Sequence, residues 1–149
     1  MSKVISKNVC GMKGKVISYR RMYISELNKF CVKLDSNYEY NYAQYLDYLL
    51  THKKIKYWFR NTTRLPLSRK IVCRRRVLKT YTPDFWIITN KDKLELHEVK
   101  GWMNDRSIKI INQLKKDYKD IKTVIIDKRE MLKLQNKYKS ILKDWVQIR

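Results

Sequence analysis

Two short stretches of this sequence carry acidic and basic side chains at a spacing that could support hydrolytic chemistry. One is Tyr-Thr-Pro-Asp-Phe at 81–85, and the other is His-Glu-Val-Lys-Gly at 97–101. Glu98 and Lys100 alternate with apolar residues, so a strand would place both side chains on one face. Asp84 precedes a second apolar run that a short turn joins to the first. The sequence therefore predicts that the three charged residues converge at one end of a hairpin.

Such a trio is suited to a specific reaction. Two adjacent carboxylates repel each other unless a cation lies between them. Mg²⁺ prefers oxygen ligands, and a neighbouring lysine can position water and offset phosphoryl charge, which fits metal-assisted phosphodiester hydrolysis. The alternative is a surface Glu–Lys pair with a turn aspartate. Spacing alone does not decide, because Asp117-Tyr-Lys119 and Asp120-Ile-Lys122 repeat it at a predicted helix end and turn.

A third carboxylate, Glu39, belongs to a helix predicted over 36–51. Helical periodicity puts Glu39 on the same face as the apolar Ala43 and Leu46, so we expect it to point toward the sheet. A buried carboxylate needs a partner. Glu39 could face the same metal site, or it could simply form a capping box with Ser36 at the helix start.

The charge of the chain indicates a polyanionic partner. Among 149 residues there are 35 Lys and Arg and 14 Asp and Glu, a formal net charge of +21. Nucleic acid fits such a field best, an anionic membrane surface fits less well, and a solvated basic surface is the remaining alternative. The expected phosphate contacts are Arg74, Arg75, Arg76, Lys79, Arg106 and Lys109.

Cysteine and histidine spacing excludes zinc fingers and disulfide frameworks. The three cysteines form no Cys-x-x-Cys pair, and His52 and His97 share no ligand spacing. Unpaired cysteines suit a reducing compartment such as the cytoplasm. No apolar run reaches the roughly 20 residues that a membrane span needs. We expect residues 1–25 to form a basic arm, with a short strand near 15–19, and residues 26–149 to form a single domain.

The remaining periodicity predicts a mixed sheet flanked by helices, in the order α-β-β-β-α-β-α. The expected strands lie near 55–65, 70–80, 84–89 and 94–100, with the second and third forming one strand kinked at Pro83. Asp105 is expected to cap a second helix. A strand over 122–126 and a helix over 128–145 follow.

The aromatic residues and His97 receive structural roles. Six aromatic side chains could stack on bases, but their spacing favours core packing: Tyr38, Tyr42, Tyr45, Trp58, Phe85 and Trp86. His97 falls on the strand face opposite Glu98, which indicates a structural histidine.

Three motifs resemble the PD-(D/E)XK nuclease superfamily: Ser36-Asn-Tyr-Glu39, Tyr81-Thr-Pro-Asp84-Phe85 and Glu98-Val-Lys100-Gly101-Trp102. The chain is most similar to small phage-type nucleases, including endonuclease I-type junction resolvases. TnsA-like transposition endonucleases share the Tyr-x-Pro-Asp-Phe and x-Val-Lys patterns. The resemblance covers about residues 35–127, and the arginine-rich segment 68–80 departs from it.

The resemblance implies a restriction-endonuclease-like α/β core and a metal-dependent active site. Asp84 and Glu98 would bind Mg²⁺, with Mn²⁺ as a substitute, and the Val99 carbonyl would complete the site. Lys100 would be the catalytic lysine, and Glu39 would be the helix-borne glutamate of many members. No small-molecule cofactor is expected beyond the metal.

The expected function is therefore a phage- or mobile-element-encoded endodeoxyribonuclease of the host cytoplasm. Its substrate would be branched DNA or a specific duplex site, and cutting two strands favours a homodimer. A non-catalytic nucleic-acid-binding protein and an RNA-directed nuclease are the alternatives.

Overall fold

A four-stranded mixed sheet carries the elements that hold the candidate site. The computed structural model describes residues 21–25 and 30–149. In chain order the elements are β1 Arg21–Ser25, β2 Phe30–Leu34, α1 Asn37–Thr51, β3 Ile55–Arg60, β4 Leu65–Cys73, β5 Arg76–Tyr81, β6 Phe85–Thr89, β7 Leu94–Lys100, α2 Asp105–Asp117, β8 Lys122–Asp127 and α3 Lys128–Tyr138.

The main sheet has the strand order β3-β6-β7-β8. β6 pairs antiparallel with both β3 and β7. β7 pairs parallel with β8, and the helix α2 connects these two strands. β1 with β2, and β4 with β5, form two separate antiparallel hairpins. The predicted α/β class, with a mixed sheet flanked by helices, is confirmed.

Each face of the main sheet buries its own apolar cluster, because side chains alternate along β6. Phe85 and Ile87 pack with α1 residues such as Leu46 and with Met131 of α3. Trp86 lies in the other cluster, which α2 and the β4–β5 hairpin contribute to. The sheet is thus covered on both faces by these packed elements.

The helix α1 begins as predicted. Ser36 is its N-cap, and the Ser36 Oγ accepts a hydrogen bond of 3.1 Å from the Glu39 N–H. The Glu39 carboxylate reaches back one residue further than in a standard capping box, to the Asp35 N–H at 3.1 Å.

The predicted single strand kinked at Pro83 is wrong. β5 ends at Tyr81 and pairs with β4, whereas β6 begins at Phe85 in the main sheet. The Asn61 side chain donates to the Pro83 carbonyl at 2.9 Å, and the Asn61 N–H donates to the Asp84 carbonyl at 2.9 Å. The side chain and backbone of Asn61 therefore bind the residues that separate the two strands.

The arginine-rich segment is a hairpin rather than one extended strand. Cys73 pairs with Arg76, which leaves a two-residue turn in which Arg74 has a φ of 53°. Five strands therefore lie between α1 and α2, not three, and two more precede α1.

Two helix ends differ from prediction. Asn104, not Asp105, caps α2, because the Asn104 Oδ1 accepts from the Ser107 N–H at 2.9 Å. α3 ends at Tyr138 rather than at residue 145. Beyond it the backbone continues in turns, in which the Leu142 N–H donates to the Tyr138 carbonyl at 2.8 Å.

Asn41 and Gln135 hold this C-terminal tail. The Asn41 amide donates to the Val146 carbonyl at 2.7 Å and accepts from the Val146 N–H at 2.8 Å. Gln135 makes the same pair of bonds with Ile148, at 3.0 and 2.8 Å.

The last five residues of the predicted basic arm form β1, and Tyr23 of β1 packs 6.0 Å from the Trp58 ring. The short strand expected near 15–19 lies outside the described residues. Within 21–25 and 30–149, no helix is long and apolar enough to cross a membrane.

Candidate active site

Asp84 and Glu98 face each other at the end of the β6–β7 pair. Phe85 pairs with His97, so the residues one step beyond stand opposite each other. The Val99 N–H donates to Asp84 Oδ2 at 2.7 Å, and the Asp84 N–H donates to Glu98 Oε2 at 3.2 Å. Each carboxylate therefore accepts a hydrogen bond from the backbone of the opposite strand or of the residue that precedes that strand.

Lys100 completes the predicted trio. Its Nζ lies 2.7 Å from Glu98 Oε1, and the Glu98 side chain is only 1% exposed. Burial raises the pKa of Glu98, and the Asp84 charge raises it further, while the Lys100 and Tyr81 contacts oppose the rise. Burial lowers the pKa of Lys100, but the contact with Glu98 outweighs this, so the net pKa is raised. Lys100 therefore keeps its proton at neutral pH.

Tyr81, at the end of β5, is a fourth member of this cluster. Its hydroxyl donates a short hydrogen bond to Glu98 Oε1, and its ring centroid lies 5.9 Å from Lys100 Nζ. Burial and the charges of Glu98 and Asp84 raise the pKa of Tyr81, which keeps the hydroxyl protonated as a donor.

Pro83 lies opposite Val99 and cannot donate a hydrogen bond to the Val99 carbonyl. Continuing the pairing of Phe85 with His97 by two residues sets Pro83 opposite Val99. The Val99 N–H already points toward this side of β7 because it donates to Asp84. A proline has no N–H, so residue 83 cannot donate to the Val99 carbonyl across the pair.

Glu39 reaches the site through Arg60. Arg60 Nη2 lies 3.0 Å from Glu39 Oε2, and Arg60 Nη1 lies 3.0 Å from Asp84 Oδ1. The pKa of Glu39 is raised to about 7, chiefly by burial and then by the Asp84 charge, while Arg60 opposes the rise. The predicted inward orientation of Glu39 is thus observed, together with a cation that joins it to Asp84.

The donor set fits a hard divalent ion. Across the described part of the chain, no group of three or more His, Cys, Asp or Glu side chains is placed to hold one ion. Asp84 and Glu98 instead offer two buried carboxylates, and Asp84 accepts from the N–H of Val99, the residue that follows Glu98. Mg²⁺ is commonly held by one or two carboxylates, with water and substrate phosphate completing its octahedron.

A basic groove of about 750 Å³ lies between the hairpin tip and the start of α2. Five of the six predicted phosphate-contact residues line it: Arg74, Arg75, Arg76, Arg106 and Lys109. The hairpin and helix segments are about thirty residues apart in sequence, so only the fold brings them together. Lys79 lies exposed on β5 and is not among the residues that line this groove.

The groove extends along α2. A second depression of about 450 Å³ shares Lys109 and Val72 with the first and adds Arg69, Lys70 and Lys116. The Arg106 charge opposes the rise in the pKa of Tyr81 that burial and the charges of Glu98 and Asp84 cause. A polyanion in the groove would therefore contact cations of both the β4–β5 hairpin and α2.

His97 and most of the aromatic side chains are packed or hydrogen-bonded within the protein. The Tyr42 hydroxyl lies 2.6 Å from His97 Nδ1, and Glu95 Oε2 lies 2.9 Å from His97 Nε2. The expected aromatic core is observed, with Trp58 fully buried and Tyr42 nearly so. Trp102, by contrast, is 79% exposed just after the lysine motif.

The sequence analysis did not predict that Arg60 and Tyr81 belong to the candidate site. Arg60 is one basic residue among many, and nothing near it in the sequence marks its contact with a carboxylate 24 residues away. Tyr81 stands inside the Tyr-Thr-Pro-Asp-Phe stretch, so its position three residues before Asp84 was the available signal.

No known protein-family model matches the chain, and no curated protein is significantly similar to it.

Proposed function

We propose that this protein is a divalent-metal-dependent endonuclease that hydrolyses DNA phosphodiester bonds. The observation that carries the proposal is the reciprocal hydrogen bonding that fixes Asp84 and Glu98 side by side, with Lys100 2.7 Å from Glu98. Two buried carboxylates and a protonated lysine at a sheet end are poorly explained as surface charges, because burying charge is unfavourable without a compensating role.

Asp84, Glu98 and the Val99 carbonyl would hold Mg²⁺ or Mn²⁺. When bound, the ion would polarise the phosphoryl oxygen and lower the pKa of a bound water. Lys100 carries its proton, so it would orient the attacking water and offset phosphoryl charge rather than act as a base. Tyr81 and the Asp84 N–H hold the Glu98 carboxylate in place.

The chain topology supports the PD-(D/E)XK resemblance. α1, β3, β6, β7, α2 and β8 follow one another in the order expected of a restriction-endonuclease-like core, with the β4–β5 hairpin inserted after β3. The inserted hairpin carries three of the four arginines that line the groove, so the departure from the family pattern coincides with much of the basic surface.

The groove supports a nucleic-acid substrate. Its cations come from two elements, the β4–β5 hairpin and the first turns of α2, and a phosphate backbone could contact both. Branched DNA or a specific duplex site is the proposed substrate, cut by a homodimer because two strands need two active sites. A phage or mobile element acting in a host cytoplasm is the proposed source.

A non-catalytic nucleic-acid-binding protein is the second candidate. The groove residues alone favour it, since binding through lysine and arginine needs no carboxylate. This alternative predicts salt-sensitive binding without metal dependence. An RNA-directed nuclease is distinguished from both by its substrate.

The test is a substrate panel with Mg²⁺: supercoiled plasmid, a four-way junction, linear duplex and RNA of matched length. We expect wild type to cleave DNA, and Lys100→Ala to bind equally well but cleave at least a hundredfold more slowly. Lys133→Ala is a matched control on α3. Cleavage by Lys100→Ala at the wild-type rate would contradict the proposal that the protein is a nuclease. Preferential cleavage of RNA would show that RNA, not DNA, is the substrate.

A further inference from the structure

Arg60 is the residue around which the acidic groups of the site are arranged. Its two terminal nitrogens lie 3.0 Å from Glu39 and 3.0 Å from Asp84, and Nη1 also donates to the Asp84 carbonyl at 3.1 Å. A weaker contact of 3.4 Å reaches Asp35, whose side chain is 59% exposed. One guanidinium therefore contacts acidic groups from the turn before α1, from the first turn of α1 and from the turn before β6.

The guanidinium is held firmly in this position. The Arg60 side chain is 14% exposed, and Arg60 is the last residue of β3, paired directly with Phe85. Its guanidinium carbon lies 5.4 Å from the centroid of the Phe85 ring. Backbone pairing, aromatic packing and charged hydrogen bonds all act on the same side chain, and arginine's planar fork suits such a bridge.

The two largely buried cations divide the three buried carboxylates between them. Arg60 contacts Glu39 and Asp84, whereas Lys100 contacts Glu98. When all three carboxylates are ionised, they leave one negative charge against the two cations. A single divalent ion would turn this into one positive charge, which one phosphodiester group would neutralise. A second ion would add two positive charges beside Arg60, with no further buried carboxylate among the described residues to balance them.

We propose that Arg60 occupies the place of a second metal ion, so that this site binds one divalent ion per chain. The inference rests on the proposed function, because it assumes that Asp84 and Glu98 bind metal. Arg60 binds one Asp84 oxygen and the Glu39 carboxylate, so Asp84 and Glu98 would hold the single ion. Glu39 is then a positioning residue that acts through Arg60 and does not ligate the ion.

Manganese binding tests this without measuring activity. Titration of wild type with Mn²⁺, followed by calorimetry and by the electron paramagnetic resonance signal of free Mn²⁺, should give one site per chain. Asp84→Asn should abolish that site. Arg60→Met removes the cation with similar bulk and should raise the count to two, and the double variant Arg60→Met with Glu39→Gln should restore one.

Two further variants keep the test decisive if Arg60→Met does not fold. Arg60→Lys retains the positive charge and should keep one site, as should Glu39→Gln alone. Two sites in wild type, of which Glu39→Gln removes one, would overturn the inference while leaving the proposed function intact. A single site that persists in folded Arg60→Met would overturn it as well. No Asp84-dependent uptake in wild type would defeat both the inference and the proposed metal-dependent function.

Discussion

Replacing Glu39 with glutamine should remove a pH dependence from the stability of the metal-free protein. Glu39 is buried beneath the site, and its pKa is raised to about 7 from an ordinary value of 4.5, chiefly by burial and then by the Asp84 charge. Glutamine has the shape of the protonated acid and can still accept the Asp35 N–H, so the substitution changes the titration more than the packing.

The sign and size of the effect follow from linkage between protonation and folding. A carboxyl group whose pKa is raised by folding contributes stability that is fully present below its unfolded pKa and is lost as pH rises through its folded pKa. Between pH 4.5 and about 7 the Glu39 contribution therefore falls. At 1.4 kcal/mol per pH unit, the loss is on the order of 3 kcal/mol.

The assay is urea unfolding of wild type and Glu39→Gln at a series of pH values from about 5 to 8, with a chelator present. The difference in unfolding free energy between the two proteins isolates Glu39 from other titrating groups. It should shift in favour of Glu39→Gln by about 2–3 kcal/mol across this range. Glu130→Gln, on α3, is the matched control and should follow wild type.

A difference between wild type and Glu39→Gln that stays constant with pH would refute this reasoning. Such a result would mean that Arg60 offsets the burial of Glu39 fully, so that Glu39 stays ionised throughout. A difference that moves in the opposite direction would mean that the Arg60 contact dominates over burial and the Asp84 charge.

Three further predictions concern the hydroxyl at Glu98, the basic groove and the C-terminal tail. Tyr81→Phe keeps the ring but removes a donor to a buried carboxylate, so the single-turnover cleavage rate should fall about tenfold or more, since such bonds contribute roughly 1.5–3 kcal/mol. Arg106→Ala removes one groove cation, so the slope of the logarithm of the DNA-binding constant against the logarithm of salt concentration should fall by about 1. Gln135→Ala removes three hydrogen bonds to the tail, so the unfolding free energy in urea should fall by about 2–4 kcal/mol.

Each of these variants has a matched control. Tyr57→Phe changes a half-exposed tyrosine on β3, Lys133→Ala removes a cation from α3, and Gln147→Ala changes an exposed amide within the same tail. A wild-type cleavage rate in Tyr81→Phe would show that the hydroxyl does not position Glu98. An unchanged salt slope in Arg106→Ala would show that nucleic acid does not bind in this groove. Equal losses of unfolding free energy in Gln135→Ala and Gln147→Ala would show that the Gln135 hydrogen bonds do not hold the tail.

Local periodicity was sufficient to predict the parts of the site that lie on one hairpin. The alternation through Leu96, Glu98 and Lys100 sets the strand phase, and phase alone decides which side chains share a face. Local pattern was also sufficient for α1. Ser36 predicted where the helix begins, and the spacing of apolar residues predicted that Glu39 points toward the sheet. These features depend on neighbours within a few residues.

The features that sequence did not predict depend on contacts between distant segments. The β4–β5 hairpin turns at Arg74 and Arg75, which lack the Asn-Gly or Asp-Gly pattern that signals a tight turn. The tail after α3 is bound at Val146 by Asn41, about a hundred residues earlier in the chain. Arg60 likewise has no local pattern, because its role arises only when β3 and β6 pair.

The measurement that tests the central claim most directly is single-turnover cleavage of one DNA junction by wild type and Asp84→Asn. DNA binding is measured in the same reactions, with Mg²⁺ and with chelator. We predict Mg²⁺-dependent cleavage by wild type and, for Asp84→Asn, retained binding with a rate at least a hundredfold lower. Cleavage that is independent of Mg²⁺, or equal in the two proteins, would contradict the assignment of Asp84 and Glu98 as the metal-binding centre of a nuclease.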